Sequence, residues 1–392
     1  MKTALLTALL FYSSLSAITL DEIIDSSLAS SPSLEVIESR ILANRQNIDI
    51  ANQFTNPELS LTTNTIDSSE PMSQTVVTFK QKIQYYGKRD TKESVSRAEG
   101  AVLSEKLKVT QVKFVAEIKK EAYSLWELRE LKNVLNNYID LTKQNIELYQ
   151  SYSSVDSSQH MGIMKAELSL ADLKIQKSSL DAKIYATYAR LSYLADKDIE
   201  NLEITLTISK RPDLKKLQTL LVNNPTLSLR EKELQKQQAK VVLTDVNNYP
   251  DINLVAGYAY RQNFDDYMNF GVSLTLPIYG TEDAKEQEAR ALELSYLSQK
   301  EDTNIAINAT LKTYYAEMLS SYNIYHIIQD DALPQVAHMF ELSNSAISIG
   351  GDLFKYVDVL FDKLALEKKS INAVSNYKRA EAKISELAGE IK

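Results

Sequence analysis

Residues 74–89 read QTVVTFKQKIQYYGKR, and the fold turns on how this stretch is read. Val77, Phe79, Ile83 and Tyr85 share one side of a two-residue alternation, interrupted by Gln81, while Lys80, Lys82 and Gln84 take the other. A period of two marks a strand with one apolar and one polar face. Tyr86-Gly87 ends the alternation, and from Lys88 to about residue 150 there is no proline and no glycine but Gly100. Leu107, Phe114, Ile118, Leu125 and Leu128 recur there with coiled-coil-like spacing among many charged residues. A strand thus feeds straight into some sixty residues of helix, roughly 90 Å long. No compact core needs such a rod.

The same order returns 193 residues later: Pro32 as Pro225, Pro57 as Pro250, and Tyr86-Gly87 as Tyr279-Gly280. This internal two-fold sequence repeat points to quasi-repeated architecture, and it argues against an active site, which would leave an asymmetric polar cluster in one half. The first repeat is expected over 18–210, the second over 211–392. Each begins with helix; in the first it runs from Thr19 to Phe54, with a fresh start at Pro32. Strands are expected at about 57–66 and 74–85, and again at about 251–260 and 268–278. Leu59, Leu61 and Thr63 alternate in the first. Ile252, Leu254, Ala256, Tyr258 and Tyr260 alternate in the third, and Phe270, Val272, Leu274 and Leu276 in the fourth. Long helices are expected at about 88–150 and 159–194, then at about 282–340 and 353–387, with Pro334 kinking or interrupting the third. The two helical turns, 151–158 and 343–352, should lie at one end, far from the strands.

Composition narrows the setting. A net charge of -8 gives no reason to expect nucleic acid. Lys2, the apolar run Ala4–Leu15 and small Ser14, Ser16 and Ala17 read as a signal peptide over 1–17; the alternatives are an uncut anchor or a buried helix. The absence of Cys excludes disulfides, thiolate metal sites and a lipid anchor on an N-terminal Cys. Beyond the signal no stretch is long and apolar enough for a membrane-spanning helix, so a membrane role requires strands. Strands of roughly ten residues with alternating faces suit a tilted outer-membrane wall; an ordinary soluble sheet is the other reading. The 22 Tyr against 9 Phe and 1 Trp suit an apolar–wet boundary. Four strands cannot close around a pore, nor leave their edges bare in lipid. Further copies are required, and three would give twelve strands.

The sequence of signal peptide, helix, Asn56-Pro57-Glu58-Leu59, second strand, Tyr86-Gly87-Lys88-Arg89 and, in the second half, Leu276-Pro277-Ile278-Tyr279-Gly280 resembles the TolC-like outer-membrane efflux proteins. It looks most like their heavy-metal branch, which carries Gly-Lys-Arg at the strand-to-helix junction. The resemblance covers essentially the whole mature chain. It implies an α+β membrane protein: a homotrimer with a twelve-stranded β-barrel, four strands per protomer, in the outer membrane, continued by a long α-helical periplasmic barrel. It also implies docking to a periplasmic adaptor protein and, through it, to an inner-membrane efflux pump. The chain would then be a passive exit duct for metal cations or small molecules, neither an enzyme nor dependent on a cofactor. An exported coiled-coil scaffold or adhesin without channel activity is the alternative.

Candidate functional residues follow. Val77, Phe79, Ile83, Val272, Leu274 and Leu276 are the lipid-facing candidates. Tyr86, Gly87, Lys88, Arg89, Tyr279 and Gly280 form the strand-to-helix junctions. There Lys88 and Arg89 are expected to meet interfacial acids or a neighbouring subunit, or simply to start a helix. Tyr85, Tyr86, Tyr258, Tyr260 and Tyr279 are candidates for an aromatic belt. At the periplasmic tip, Asp156, Asp352, Asp358 and Asp362 are candidates for an acidic gate ring, against the plainer reading of a solvated helix face. Gly350 and Gly351 suit a sharp turn. His160, Met161 and Met164 offer soft-metal donors, though Met at helical spacing more often packs. His326 and His338 belong to no metal-ligand motif.

Overall fold

The computed structural model describes residues 18–65, 67, 70–152, 157–208, 210–347 and 353–391. The expected signal peptide, 1–17, lies outside them. The chain opens with β1 (Ile18–Thr19), which pairs in parallel with β4 (Leu202–Glu203). Thr19 also caps α1 (Leu20–Ser30): its hydroxyl accepts from the Glu22 amide, and the Glu22 carboxylate accepts from the Thr19 amide. α2 (Pro32–Ala51) restarts with Pro32 in its first turn, where a missing N–H leaves no bond unmade. β2 (Glu58–Thr63) and β3 (Gln74–Ile83) follow, then α3 (Lys88–Tyr152) and α4 (Ser157–Ala195).

The second half runs α5 (Leu214–Leu220) with a 3₁₀ turn at Leu221–Asn223, α6 (Pro225–Asn247), β5 (Ile252–Arg261) and β6 (Tyr267–Leu274). Then come α7 (Thr281–His326), a π-helical segment (Ile327–Ala332), α8 (Leu333–Ile347) and α9 (Leu353–Ala388). α3, with 65 residues, spans about 98 Å. Four strands form one antiparallel sheet in the order β2-β3-β5-β6. Near the sheet the helices lie side by side as α2, α3, α6, α7; further along they lie as α4, α3, α9, α7 and α8.

Positions 193 residues apart take the same backbone roles. Among the described residues, positive φ occurs at Gly87 and Gly280 and at Asp196 and Gly389, two pairs with that spacing. Buried Asn44 donates through Nδ2 to the Ser96 carbonyl at 2.9 Å, and buried Gln237 donates through Nε2 to the Ala289 carbonyl, also at 2.9 Å. Each bond ties a short helix to the long one beside it.

The helices pack through three apolar clusters. One joins α1 to α3 and α4 through Ile23, Ile118, Leu125 and Leu191; another joins α7 to α9 through Leu311, Met318 and Ile384. The third brings the ends of both long hairpins together through Leu135, Ile146, Ile163, Leu173, Tyr356 and Leu360. Both hairpin ends therefore lie on the same side, away from the sheet.

Two strand bounds are corrected, and the interruption expected at Pro334 takes a definite form: the helix expected at 282–340 is divided. Pro334 has no N–H to give the Asp330 carbonyl, and its ring crowds that group, so the backbone widens to π geometry just before it and resumes as α8. The fourth strand stops at Leu274 and not near 278, because Pro277 cannot donate to a ladder. Leu276, expected in the wall, consequently lies beyond it, exposed. The first strand is the six residues 58–63, shorter than the expected 57–66.

Gly280 sits at φ +72 with nothing within 4 Å of where a Cβ would stand. Gly280→Ala should therefore cost about 1 kcal/mol through backbone strain alone, and Gly280→Asn less, because Asn visits the left-handed region more readily. Thermal midpoints of the detergent-solubilised proteins should fall in the order wild type, Asn, Ala.

Candidate functional site

The sheet has one uncovered face. Register aligns Leu59, Phe79, Ala256 and Phe270 in one row across the four strands, and Leu61, Val77, Tyr258 and Met268 in the next. Two further rows hold Gln81, Leu254 and Val272, then Ile83, Ile252 and Leu274. The opposite face carries Glu58, Lys80, Ser60, Thr78, Asn269, Lys82, Asn253 and Ser273, with Val76, Val255, Gly257, Ala259 and Gly271 among them. The apolar side chains are bare: Leu59 is 74% exposed, Phe270 77% and Val272 70%. Covering a large apolar side chain fully is worth about 1.5–3 kcal/mol. Left in water, the dozen on this face forgo on the order of 10 kcal/mol, as much as a whole domain's net stability. Among the described residues, β2 and β6 also each have one edge without a partner strand. Of the six wall candidates, Val77, Phe79, Ile83, Val272 and Leu274 share this face.

The strand-to-helix junction is held by a buried charge. Lys88, 6% exposed, donates through Nζ to Asp251 Oδ1 at 2.9 Å and to the Tyr249 carbonyl at 2.6 Å. Asp251 also accepts from the Tyr85 amide at 3.0 Å and pairs with Lys82 at 3.0 Å. Burial opposes ionisation of Asp251, but the bonds from Lys88, the Tyr85 amide and Lys82 outweigh it and hold its pKa at about 2. The Tyr85 ring stacks on Tyr249, centroids 4.5 Å apart. Arg89 donates to the Asn52 carbonyl at 3.3 Å and lies over the Phe54 ring. The start of α3 is thus fastened to the entry of β5, in the other half of the chain. Of the readings of Lys88 as meeting an interfacial acid, meeting a neighbouring subunit or simply starting a helix, it starts α3 and its acidic partner is in its own chain. The second junction lacks this lock, since Thr281 stands where Lys88 would. Tyr86 and Tyr279, at the two junctions, are 89% and 91% exposed.

At the far end, Asp358 on α9 pairs with Lys165 on α4 at 2.5 Å. Of the gate candidates, Asp358 is therefore charge-compensated, whereas Asp362, one turn on, is exposed. Asn145 donates to the Tyr356 hydroxyl at 2.9 Å beneath them. Gly162 allows close approach: a Cβ there would lie 3.2 Å from Leu353. Asp156, Gly350, Gly351 and Asp352 lie outside the described residues. His160, Met161 and Met164 are all exposed on α4. No group of three His, Cys, Asp or Glu side chains able to hold a metal occurs among the described residues. Nor is any described helix long and apolar enough to cross a membrane.

Asp251 is the residue that sequence reasoning passed over, since it read there only as a polar position in an alternation. Its signal was an acidic residue at both strand entries, Glu58 and Asp251, with a lysine following only one second strand.

No family model and no curated protein matches the sequence. Solved structures match along most of its length. The open-state MtrE outer membrane channel of Neisseria gonorrhoeae superposes with a TM-score of 0.81 at 14% identity, covering 94% of this chain and 88% of that one. The outer membrane protein VceC of Vibrio cholerae gives 0.79 at 14% identity, covering 94% and 96%. CusC, whose structures concern transmembrane channel formation, gives 0.79 at 12% identity, covering 94% and 91%. The chain has the fold of these outer-membrane channels.

The Asp251 bonds carry a pH signature. Its pKa is lowered on folding from an ordinary 3.8, so its contribution is complete above about pH 4 and disappears as pH falls toward 2. That contribution is on the order of 1–2 kcal/mol after allowing for solvent at the rim of the site. Asp251→Asn should lower stability by about that amount at pH 6, and the gap from wild type should narrow by pH 3. Denaturation curves at the two pH values decide it.

Proposed function

We propose that this chain is the outer-membrane exit duct of a tripartite efflux system, a passive conduit resembling the TolC-like proteins. The observation that carries the reading is the uncovered apolar face on a sheet with two free edges. Lipid satisfies the face, and strands from further copies satisfy the edges. Three copies supply the twelve strands that the family resemblance implies, and their long helices continue the wall into the periplasm as a tube. The outer-membrane channels that share this fold support the location and the role.

In this reading residues 18–210 and 211–392 descend from one duplicated unit, which the paired glycine conformations and the paired Asn44 and Gln237 bonds favour. The hairpin ends, with Asp362 exposed and Asp358 held by Lys165, form the gate and meet a periplasmic adaptor; an inner-membrane pump supplies energy. The duct itself makes and breaks no bond. Metal cations are the favoured cargo, on the strength of Gly87-Lys88-Arg89 at the junction; small organic molecules are the other class.

Two measurements test this. Deleting the gene should sensitise cells selectively to metals; sensitivity across dyes, bile salts and antibiotics would reverse the choice of cargo, and an unchanged profile would contradict the duct. Phe79→Lys and Val272→Lys should each cost about 2–4 kcal/mol of membrane stability if they sit mid-bilayer, depleting the protein from washed outer membranes. Ser273→Lys, on the opposite face, should leave it there.

A further inference from the structure

The two strand-to-helix junctions share a backbone frame but not its filling. At the first, Arg89 lies over the Phe54 ring, and Gln84 donates to the Thr55 hydroxyl at 3.2 Å while accepting from Lys92 at 3.1 Å. These contacts bridge the space between the end of α2, the exit of β3 and the start of α3. At the positions 193 residues on, Asn247 stands for Phe54, Pro277 for Gln84, Glu282 for Arg89 and Lys285 for Lys92. The second set has no ring for a cation to cover and no amide to join strand exit to helix. A cleft of about 360 Å³ stands open there, between the end of α6, the exit of β6 and the start of α7. That volume lies within the range of small-molecule sites.

The lining is electroneutral, yet two of its charges lack partners. Its charged side chains are Lys88, Asp251, Glu282 and Lys285. Lys88 and Asp251 bind each other. Glu282 and Lys285 stand one helical turn apart on α7 and, among the described residues, form no ion pair and no side-chain hydrogen bond. The cleft is thus lined by one free carboxylate and one free ammonium. Thr275 and Thr281 add hydroxyls, and Leu276 and Ile278 add an exposed apolar side.

We infer that this cleft binds the headgroup of a zwitterionic lipid with a primary amine, a phosphoethanolamine in its chemistry, with Glu282 taking the ammonium and Lys285 the phosphate. The inference rests on the reading that the sheet stands in a bilayer, which puts the strand-to-helix boundary at headgroup depth.

Charge selects the class of headgroup. A purely anionic one would meet the Glu282 and Asp283 carboxylates in the first turn of α7, and a purely cationic one would meet Lys285. A primary ammonium donates charge-assisted hydrogen bonds to Glu282; a quaternary ammonium has no N–H to give. The apolar side selects a lipid over a free zwitterion. Leu276 and Ile278 follow Val272 and Leu274 at two-residue steps, so the cleft adjoins the end of the bare face along which acyl chains would run.

The test counts bound lipid. Protein extracted in detergent is stripped of lipid and offered, one at a time, phosphatidylethanolamine, phosphatidylglycerol, phosphatidylcholine and soluble glycerophosphoethanolamine. Native mass spectrometry then reads the adducts on each chain. Wild type should keep one phosphatidylethanolamine per chain under conditions that strip the other three. Glu282→Gln should weaken that retention about tenfold, as expected for one lost charge-assisted hydrogen bond. Asn247→Phe with Glu282→Arg copies the Phe54 and Arg89 pair into the second cleft and should abolish it. Equal retention of the three lipids, or retention unchanged by Glu282→Gln, would overturn the inference. Retention of glycerophosphoethanolamine as firm as that of the lipid would overturn the lipid as occupant. The adducts are read in detergent, so the result does not depend on where the protein fractionates. Absence from washed outer membranes would sink the duct reading; indiscriminate retention by protein that is present there would sink the lipid site alone.

Discussion

The structure depends on one constraint: an antiparallel sheet whose apolar face is left uncovered by the described residues. Every soluble solution to this problem brings a helix or a second sheet onto the bare face. Here the helices run away from the sheet and pack on one another. The chain instead keeps Leu59, Phe79, Leu254, Phe270 and Val272 in rows that cross all four strands. Such rows suit a non-polar environment on that side. The opposite face is polar, where Lys80, Thr78, Asn253 and Ser273 stand.

A wall of this kind must be joined to the helices without breaking either. The chain does this twice, at Gly87 and at Gly280, each taking a left-handed turn between strand and helix. Only the first junction has the charged lock of Lys88 and Asp251. That lock crosses from one half of the chain to the other, so it fixes the sheet's angle to the long helices and also ties the two halves together. Its burial would be costly for an isolated lysine; the two hydrogen bonds from Nζ, to the Asp251 carboxylate and the Tyr249 carbonyl, make it tolerable. Among the described residues the second junction has no comparable bond, so the two junctions are not fastened alike.

Much of this was legible from residues. Strand alternation, the glycine stops, the helix restarts at Pro32 and Pro225 and the four long helical rods follow from periodicity and from what proline and glycine forbid. Less legible were features that depend on distant partners. Nothing local in Tyr-Pro-Asp-Ile announces that Asp251 will receive Lys88, because their meeting needs β3 and β5 to be neighbours. The π segment was foreseeable as a disturbance at Pro334, but not its form, which depends on how α9 holds the helix on both sides. Asp358 read as a free acid at the tip until Lys165, its equivalent in the other half and of opposite sign, was found beside it. Leu276 continued an alternation on paper that Pro277 ends in the ladder.

The central claim, that the apolar face meets lipid, is best tested by site-specific quenching. Single cysteines at 77, 79, 254 and 272, and at 78, 80, 253 and 273, would carry an environment-sensitive fluorophore in protein reconstituted into bilayers. The account predicts that a quencher fixed on lipid chains dims the first set and spares the second, while a water-soluble quencher does the reverse. Equal quenching of both sets from water, or protection of the first set from both quenchers, would mean that protein or solvent covers that face, and would contradict it.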